Sequence, residues 1–305
     1  MSPMSGPTAG CCAFRTRPSS PLSTTVACKA ARVGVELGQE QRMGIPVEAY
    51  LSILEARPRL AFVDAAEVLI ELRMRKSAEE VSYMRQAADI TSRARQRLYD
   101  TEIRPGVTER QAVRALRRLI LEEGGDGMSF CHIQNDLPGH SNPYHYDRPF
   151  EPGMLIGMDS GAFVGMYTVD YPRFAVLGTA TAEQRRVHDA ARHVARRMAE
   201  ALRPGATCAE IFQVGIDACV EADVEPTARR PGSRMSHGQG MLLTEPPSIT
   251  PDDRTVLALG VVLSTEPGVR GRHGVSVLWE DVHVVTDSAS TRITLEPDEL
   301  REIPF

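Results

Sequence analysis

Residues 154–173, MLIGMDSGAFVGMYTVDYPR, place two aspartates in apolar surroundings, and the rest of the chain is interpreted around them. Asp159 lies in an apolar run bounded by glycines, which is typical of a buried strand, and Asp170 follows a second run broken by Gly165. The two runs predict a hairpin that brings both acids together. A buried carboxylate is unfavourable unless it is paired or bound to a metal, although an Asp before Ser-Gly or Tyr-Pro is also common in turns.

Three further polar residues stand at the ends of apolar segments late in the chain. His237 lies in the glycine-flanked SHGQG, Glu266 ends the run VLALGVVLST, and Glu280 separates VSVLW from VHVV. Each residue alone would more often be structural, but two acids at the ends of β-branched strands indicate a bound cation. Four carboxylates and one imidazole can hold two divalent ions about 3.5 Å apart with a water between them, which is hydrolase chemistry.

Composition excludes several classes of function. The 305 residues suit one large domain plus a fragment or two modest domains, with 42% hydrophobic and 25% charged residues. A net charge of -5 without a basic block argues against nucleic acid as the partner. The six cysteines lack CxxC spacing, and no apolar leader or run of about 20 apolar residues is present. We therefore expect a cytoplasmic protein without disulfides or a membrane span.

The order of patterns along the chain predicts three segments. Residues 1–30 are expected to be a disordered lead. Residues 31–71 follow a strand, helix, strand pattern that is too short for a complete α/β domain, and we expect the remnant of one. Residues 72–305 form the expected catalytic domain, which opens with a helix capped by Ser77 and Glu80.

A turn followed by a capped helix occurs twice in the catalytic domain. A second helix after residues 103–107 begins at the Thr108 cap, and later Thr181 and Gln184 form another capping box. Arg104, Pro105, Gly106 and Thr108 recur as Arg203, Pro204, Gly205 and Thr207. This repetition predicts a duplicated α+β unit with a site between its halves, although the motif is also simply a good turn and cap.

From about residue 65 onward the chain resembles the pita-bread metallohydrolases, which include aminopeptidase P, prolidase, methionine aminopeptidase and creatinase. The motifs are ELRMRKSAEE, MDSG with VDYPR, SHGQG followed by TEPP, STEPG, and WED, in this order. The resemblance implies two pseudo-symmetric α/β halves around the metal site, preceded by a fragment of the N-terminal domain. It also implies two divalent ions, with manganese expected before cobalt, iron or zinc, and a homodimer.

The same resemblance implies roles for individual residues. Asp159 would be bidentate on one ion, and His237 and Glu266 would bind the other. Asp170 and Glu280 would bridge both. Glu266 would also move the proton from the attacking hydroxide to the leaving amine.

Among the histidines His132, His140 and His145, only His145 matches a substrate-contacting residue of the family. We expect the other two to be solvated loop residues. Thr244 stands where these peptidases carry a second substrate-contacting histidine, and Leu278 stands where the proline-specific aminopeptidases carry an arginine. Thr244 can donate a hydrogen bond but cannot act as an imidazolium.

Three functions follow from these patterns. The first is an Xaa-Pro-type aminopeptidase or dipeptidase acting on peptides. The second is a creatinase-like or ectoine-hydrolase-like enzyme acting on a small amide, which the changes at Thr244 and Leu278 favour. The third is a metal-free binding module of the same fold, which the intact ligand set argues against because buried acids without a cation are unfavourable.

Overall fold

The computed structural model describes residues 31–37, 43–135, 147–228 and 232–305. The expected lead, residues 1–30, and two of the histidines named above, His140 and His145, lie outside these ranges. The chain divides into two compact units, Met1–Glu67 and Val68–Phe305, and each is described by itself. None of the helices in the described ranges combines the length and the apolar character needed to cross a membrane.

The first unit contains a strand, a helix and a second strand, as the sequence predicts. Strand β1 (Ala31–Val35) pairs in parallel with β2 (Leu60–Asp64), and helix α1 (Val47–Ala56) connects them. Parallel strands require such a crossover because the chain must return to the same end of the sheet before the second strand begins, which a tight turn does not allow. The rings of Tyr50 and Phe62 lie 5.2 Å apart and join α1 to β2.

Helices α2 (Ala66–Met74), α3 (Ala78–Thr101) and α4 (Glu109–Glu122) follow, and α2 runs across the division between the units. The expected capping box at Ser77 and the expected cap at Thr108 are both formed, the latter also as a capping box, so the predicted helix starts are confirmed. In the next helix pair, α5 (Ala182–Ala201) and α6 (Cys208–Glu221), Thr181 and Thr207 form the same boxes.

The two turns between the paired helices are built alike. Gly106 and Gly205 both have a φ of +87°, a left-handed conformation that glycine adopts without strain. The Gly106 amide donates to Phe150 O and the Gly205 amide to Leu257 O, each at 2.9 Å. The same turn is thus held by equivalent contacts in each half, which supports the predicted duplication.

Within the described ranges, the strands of the second unit form three sheets. In chain order they are β3 (Gly127–Asn135), β4 (Leu155–Val164), β5 (Tyr167–Thr168), β6 (Tyr171–Leu177), β7 (Glu225–Pro226), β8 (His237–Gly238), β9 (Glu245–Ser248), β10 (Val262–Thr265), β11 (Gly268–Arg270), β12 (Ser276–Leu278), β13 (Asp281–Val285), β14 (Ser290–Arg292) and β15 (Arg301–Ile303). The sheet orders are β15-β6-β4-β3 with β5 on β4, β14-β13-β10-β8-β9, and β12-β11-β7.

The two helix pairs lie in separate buried clusters. Leu98 and Leu116 of α3 and α4 belong to one buried cluster with Ile156 of β4. Helices α5 and α6 form another with β10 and β11. A third cluster joins Met84 of α3 to Tyr171 of β6 and Val282 of β13. Residues of both halves therefore meet along β6 and β13.

Candidate metal centre

The hairpin predicted around Asp159 and Asp170 is present. Asp159 lies in the middle of β4, and Asp170 directly precedes β6. The two strands are antiparallel, with Ser160 opposite Tyr171 and Asp159 opposite Pro172. Asp170, the residue before Tyr171, therefore lies close to Asp159 at this part of the sheet.

The second half brings its acids to one end of a strand ladder. Strands β10 and β13 are antiparallel and pair Thr265 with Asp281. Glu266 follows β10 and Glu280 precedes β13, so both acids lie just beyond this last pair. Strand β8, which begins at His237, pairs with β10 on its other side.

Three of the five candidate ligands converge directly. Asp170, His237 and Glu280 are buried, and one ligand atom from each lies within 4.8 Å of the other two. Oε2 of Glu266 lies 3.6 Å from Nε2 of His237, and 19% of the Glu266 side chain is exposed. Residues from both halves of the unit thus surround one point.

Several oxygens at this point are buried without a hydrogen-bond partner. They are Asp159 Oδ1, Asp170 Oδ1 and Glu280 Oε2. Leaving a buried carboxylate oxygen unpaired is strongly unfavourable. Unpaired oxygens on three neighbouring acids are what a bound cation would satisfy, and the oxygen-rich donor set suits a divalent ion.

The pKa values of the four acids are raised in the protein alone. Burial raises the pKa of Asp159 to about 7. Burial and the charge of Asp159 raise the pKa of Glu266 to about 8, against an opposing effect of Arg234. Burial and the neighbouring acids also hold the pKa values of Asp170 and Glu280 well above the usual range. The charge of Asp159 is among the causes that raise the pKa values of the other three acids, so Asp159 lies close enough to repel them.

His237 is arranged to offer one nitrogen to the centre. Its Nδ1 lies 2.9 Å from the carbonyl oxygen of Gly238, which can only accept, so we assign the proton to Nδ1. Burial lowers the pKa of His237 to about 4, so the ring is neutral at pH 7. The lone pair of Nε2 is therefore free to bind a metal.

Two arginines behind the centre were not assigned a role from the sequence. Arg95 Nη1 donates to Met158 O at 2.9 Å and to Tyr171 O at 2.8 Å. These bonds join β4, which contains Asp159, to β6, which follows Asp170. Arg173 Nη1 donates to Glu280 O at 2.8 Å and so ties β6 to the second half. Arg173 stands in the quoted motif VDYPR, whereas Arg95 is one of three arginines in SRARQR and has no distinguishing signal in the sequence.

Gln239 was also missed, although it stands in the quoted motif SHGQG. Its buried amide contacts Glu280 and the backbone of Asp170. A glutamine two residues after a candidate ligand is a weak signal by itself, because the contacts that give it meaning come from distant segments.

The remaining predicted residues have different outcomes. His145 lies outside the described residues. The expectation that His132 is a solvated loop residue is wrong, because it is half-buried in β3 opposite Asp159 and its Nε2 is buried without a partner. Thr244 is half-buried, and its Oγ1 accepts a hydrogen bond from Arg234 Nη2 at 3.3 Å. Leu278 ends β12.

Comparison with known proteins identifies similarity to peptidases. The model of metallopeptidase family M24 matches residues 82–287. The Xaa-Pro dipeptidase of Pyrococcus furiosus is 27% identical over 238 residues, which cover 77% of this chain and 67% of that protein. The probable dipeptidase PepE of Mycobacterium tuberculosis is 29% identical over 245 residues, covering 79% and 64%. The chain spans about two thirds of the length of these relatives.

Solved structures confirm the predicted pita-bread fold. The X-Pro aminopeptidase from Thermotoga maritima superposes with a TM-score of 0.79 at 23% identity, over 90% of this chain and 76% of that one. The prolidase from Pyrococcus furiosus superposes with a TM-score of 0.73 at 25% identity, over 87% and 76%. The two related halves seen here thus have the arrangement found in those enzymes.

Proposed function

The chain belongs to metallopeptidase family M24, and on that premise we propose that it is a dinuclear-metal hydrolase that cleaves a peptide C–N bond as an Xaa-Pro-type aminopeptidase or dipeptidase. The observation that supports this proposal is the convergence of Asp170, His237 and Glu280 with buried oxygens that have no hydrogen-bond partner. The names of the relatives, Xaa-Pro dipeptidase and dipeptidase, support the substrate class.

The residues present fit divalent ions. Asp159 would hold one ion, His237 and Glu266 the other, and Asp170 and Glu280 both. Four carboxylates and one neutral imidazole form a donor set that manganese, cobalt, iron and zinc all accept, and manganese remains our first expectation. When bound, such ions polarise a carbonyl group and lower the pKa of a coordinated water.

We propose Glu266 as the residue that moves the proton. Its side chain is partly exposed, unlike that of Glu280, so water and a substrate can approach it. A carboxyl group within hydrogen-bond reach of the attacking water and of the leaving amine can carry a proton from one to the other. Nε2 of His237, at 3.6 Å, is a metal ligand in this proposal and leaves that task to Glu266.

The substrate side of the site is proposed to include His145, Thr244 and Arg234. The Arg234 side chain is exposed and donates to Thr244. Among the described residues, no carboxylate lies within ion-pair distance of Arg234, so its charge is available to an anionic group of a substrate. This arrangement would supply a positive charge that Thr244 and Leu278 lack.

The residues Thr244 and Leu278 favour a second candidate function, hydrolysis of a small non-peptide substrate. An enzyme for a small non-peptide C–N substrate would keep the metal ligands and differ on the substrate side, as this chain does relative to the family pattern. A metal-free binding module is less favoured, since the unpaired oxygens of Asp159, Asp170 and Glu280 would then have no function that offsets their burial.

We also propose a cytoplasmic homodimer in which residues 31–71 are the remnant of a creatinase-type N-terminal domain and residues 72–305 are the catalytic domain.

Metal analysis of the purified protein, followed by assays on Ala-Pro, Gly-Pro and Xaa-Pro-Xaa peptides, tests these functions. Bound metal with turnover of a peptide is the expected result. Bound metal without peptide turnover would favour the small-amide enzyme, and a protein that binds no metal would favour the binding module.

A further inference from the structure

Gln239 connects two candidate ligands that come from different halves of the fold. It is fully buried and follows β8. Its Nε2 donates to Glu280 Oε1 at 2.7 Å and to Asp170 O at 3.0 Å. Its Oε1 accepts from the Asp170 amide at 3.1 Å. A single side chain therefore contacts Asp170 and Glu280, which are the two ligands proposed to bridge the ions.

The orientation of this amide is determined by its surroundings. The Asp170 N–H can only donate and the Asp170 carbonyl can only accept, so the oxygen and nitrogen of the Gln239 side chain can be assigned without ambiguity. The reversed amide would place its oxygen against both a carbonyl and a carboxylate. The backbone of Asp170 thus directs an N–H group of Gln239 toward Glu280.

This contact distinguishes the two oxygens of Glu280. Oε1 accepts the Gln239 hydrogen bond, while Oε2 is buried without a partner. The backbone of Glu280 is held separately by Arg173 through its carbonyl oxygen. With the main chain and one carboxylate oxygen both fixed, the rotation of the carboxylate is restricted and Oε2 is left for a cation.

We propose that Gln239 is a positioning residue that fixes the Glu280 carboxylate relative to Asp170 and so sets the affinity of the centre for divalent ions. The inference rests on the proposed metal site and adds a residue that binds neither metal nor substrate. Groups that hydrogen-bond to metal ligands orient them, and their loss typically weakens metal binding by about 10- to 100-fold.

The test compares metal affinity in Gln239→Met and in a matched control. Methionine has a similar length to glutamine but cannot form the three hydrogen bonds. Gln213 is exposed on α6 and bonds only locally, to Asp217, so Gln213→Met introduces the same change away from the site. Titration of each metal-free protein with Mn²⁺ and Co²⁺ should give about 10- to 100-fold weaker binding for Gln239→Met and the wild-type value for Gln213→Met.

A second variant separates positioning from the loss of a buried polar group. Gln239→Asn keeps the amide but is one methylene shorter, so it cannot contact the Asp170 backbone and Glu280 together, and it should also bind metal more weakly. It provides the test on its own if the methionine variant does not fold. Wild-type affinity in Gln239→Asn would overturn the proposal, as would affinity within twofold of wild type in a folded Gln239→Met.

The visible absorption of the Co²⁺-loaded proteins gives a readout that a purely structural role would not change. The ligand-field bands should shift in the Gln239 variants and stay unchanged in Gln213→Met. Wild-type protein that binds neither ion would contradict the proposed function itself. If the wild-type protein binds metal but the bands of the Gln239 variants are not shifted, only the role of Gln239 would be contradicted.

Discussion

Two groups of buried or half-buried acids in this protein differ in their pKa values although burial acts on both. The acids of the candidate metal centre have raised pKa values; they are Asp159, Asp170, Glu266 and Glu280. The acids of the supporting structure have lowered pKa values; they are Glu245, Asp281 and Glu296. Burial alone raises the pKa of every one of these carboxyl groups, so the difference comes from their partners.

The partners of the supporting acids are basic side chains at hydrogen-bond distance. Asp281 accepts from Arg173 at 2.6 Å and Glu245 accepts from Lys76 at 3.0 Å. Arg95 donates to Glu296 through Nε at 3.2 Å. The fold therefore supplies a cation to each acid that it uses for support. The acids of the centre instead face one another, which is the arrangement expected where the cation is a ligand.

The largest effect is expected from removing an acid of the centre. Glu266→Ala should lower kcat by about 10²- to 10⁴-fold, because proton transfer by a positioned side chain contributes a factor of this size and a candidate ligand is lost with it. Steady-state assays on an Xaa-Pro dipeptide measure the change. Glu200→Ala, at an exposed position on α5, serves as the control and should keep the wild-type rate. Near-normal turnover by Glu266→Ala would refute the assignment of Glu266 as the proton carrier.

Removing a cation from a supporting acid should destabilise the protein instead. Arg95→Met leaves Glu296 buried and charged without its main partner, and breaking a buried ion pair in this way costs about 3–5 kcal/mol. Arg95 also loses its bonds to Met158 O and Tyr171 O, which adds to the loss. Denaturant unfolding of the metal-free protein measures the free energy of unfolding.

The double variant Arg95→Met with Glu296→Leu tests the cause. It removes the uncompensated charge as well as its partner, so it should be less destabilised than Arg95→Met alone. Equal destabilisation of the single and double variants would show that the backbone contacts of Arg95, and not its charge, hold this part of the fold together.

A change of pH should separate the two groups of acids without mutation. In the unfolded chain carboxyl groups lose their protons near pH 4, whereas in the folded metal-free protein Asp159 keeps its proton to about pH 7 and Glu266 to about pH 8. Below about pH 6.5 buried histidines such as His237 oppose this effect, because the unfolded chain protonates them and the folded protein does not. From about pH 6.5 to 8 the folded state binds more protons, so the free energy of unfolding should fall as the pH rises over this range. The supporting acids have lowered pKa values, so they should change the free energy of unfolding only below about pH 4, where their stabilising effect is lost as the pH falls.

Thermal unfolding of the metal-free and metal-loaded protein measures this effect. The midpoint of the metal-free protein should decrease between about pH 6.5 and pH 8, and the increase on adding Mn²⁺ should be larger at pH 8, because metal binding requires deprotonated carboxylates. A metal-free midpoint that is constant or rises over this range would contradict raised pKa values at the centre.

The sequence indicates the acids of the candidate metal centre more clearly than the supporting acids. Asp159, Asp170 and Glu280 interrupt or border apolar strands, and an acid in such a run is visible in the sequence because its context is local. The capped helix starts at Ser77 and Thr207 are local for the same reason, and both are confirmed.

The supporting contacts could not be predicted because they join distant segments. Arg95 and Glu296 are separated by 201 positions, and Arg173 meets the carbonyl of Glu280 across 107. Neither arginine carries a sign of its partner, since the pairing depends on how β6 and β13 are brought together. His132 was misjudged for a similar reason: its place in β3 depends on pairing with β4.

The smallest effect is expected where an ion pair is exposed. Arg118 on α4 bonds to Glu122 at 2.7 Å, much as Arg173 bonds to Asp281, but both side chains are in contact with water. Water solvates the charge left behind, so Arg118→Met should leave the midpoint of thermal unfolding within experimental error of the wild type. The substitution is the same as in Arg95→Met, but Arg95 is buried and also donates to two backbone carbonyls, whereas Arg118 donates to exposed carboxylates. A clear loss of stability in Arg118→Met would mean that charge pairing itself, and not the burial of a charge without a partner, separates the two groups of acids.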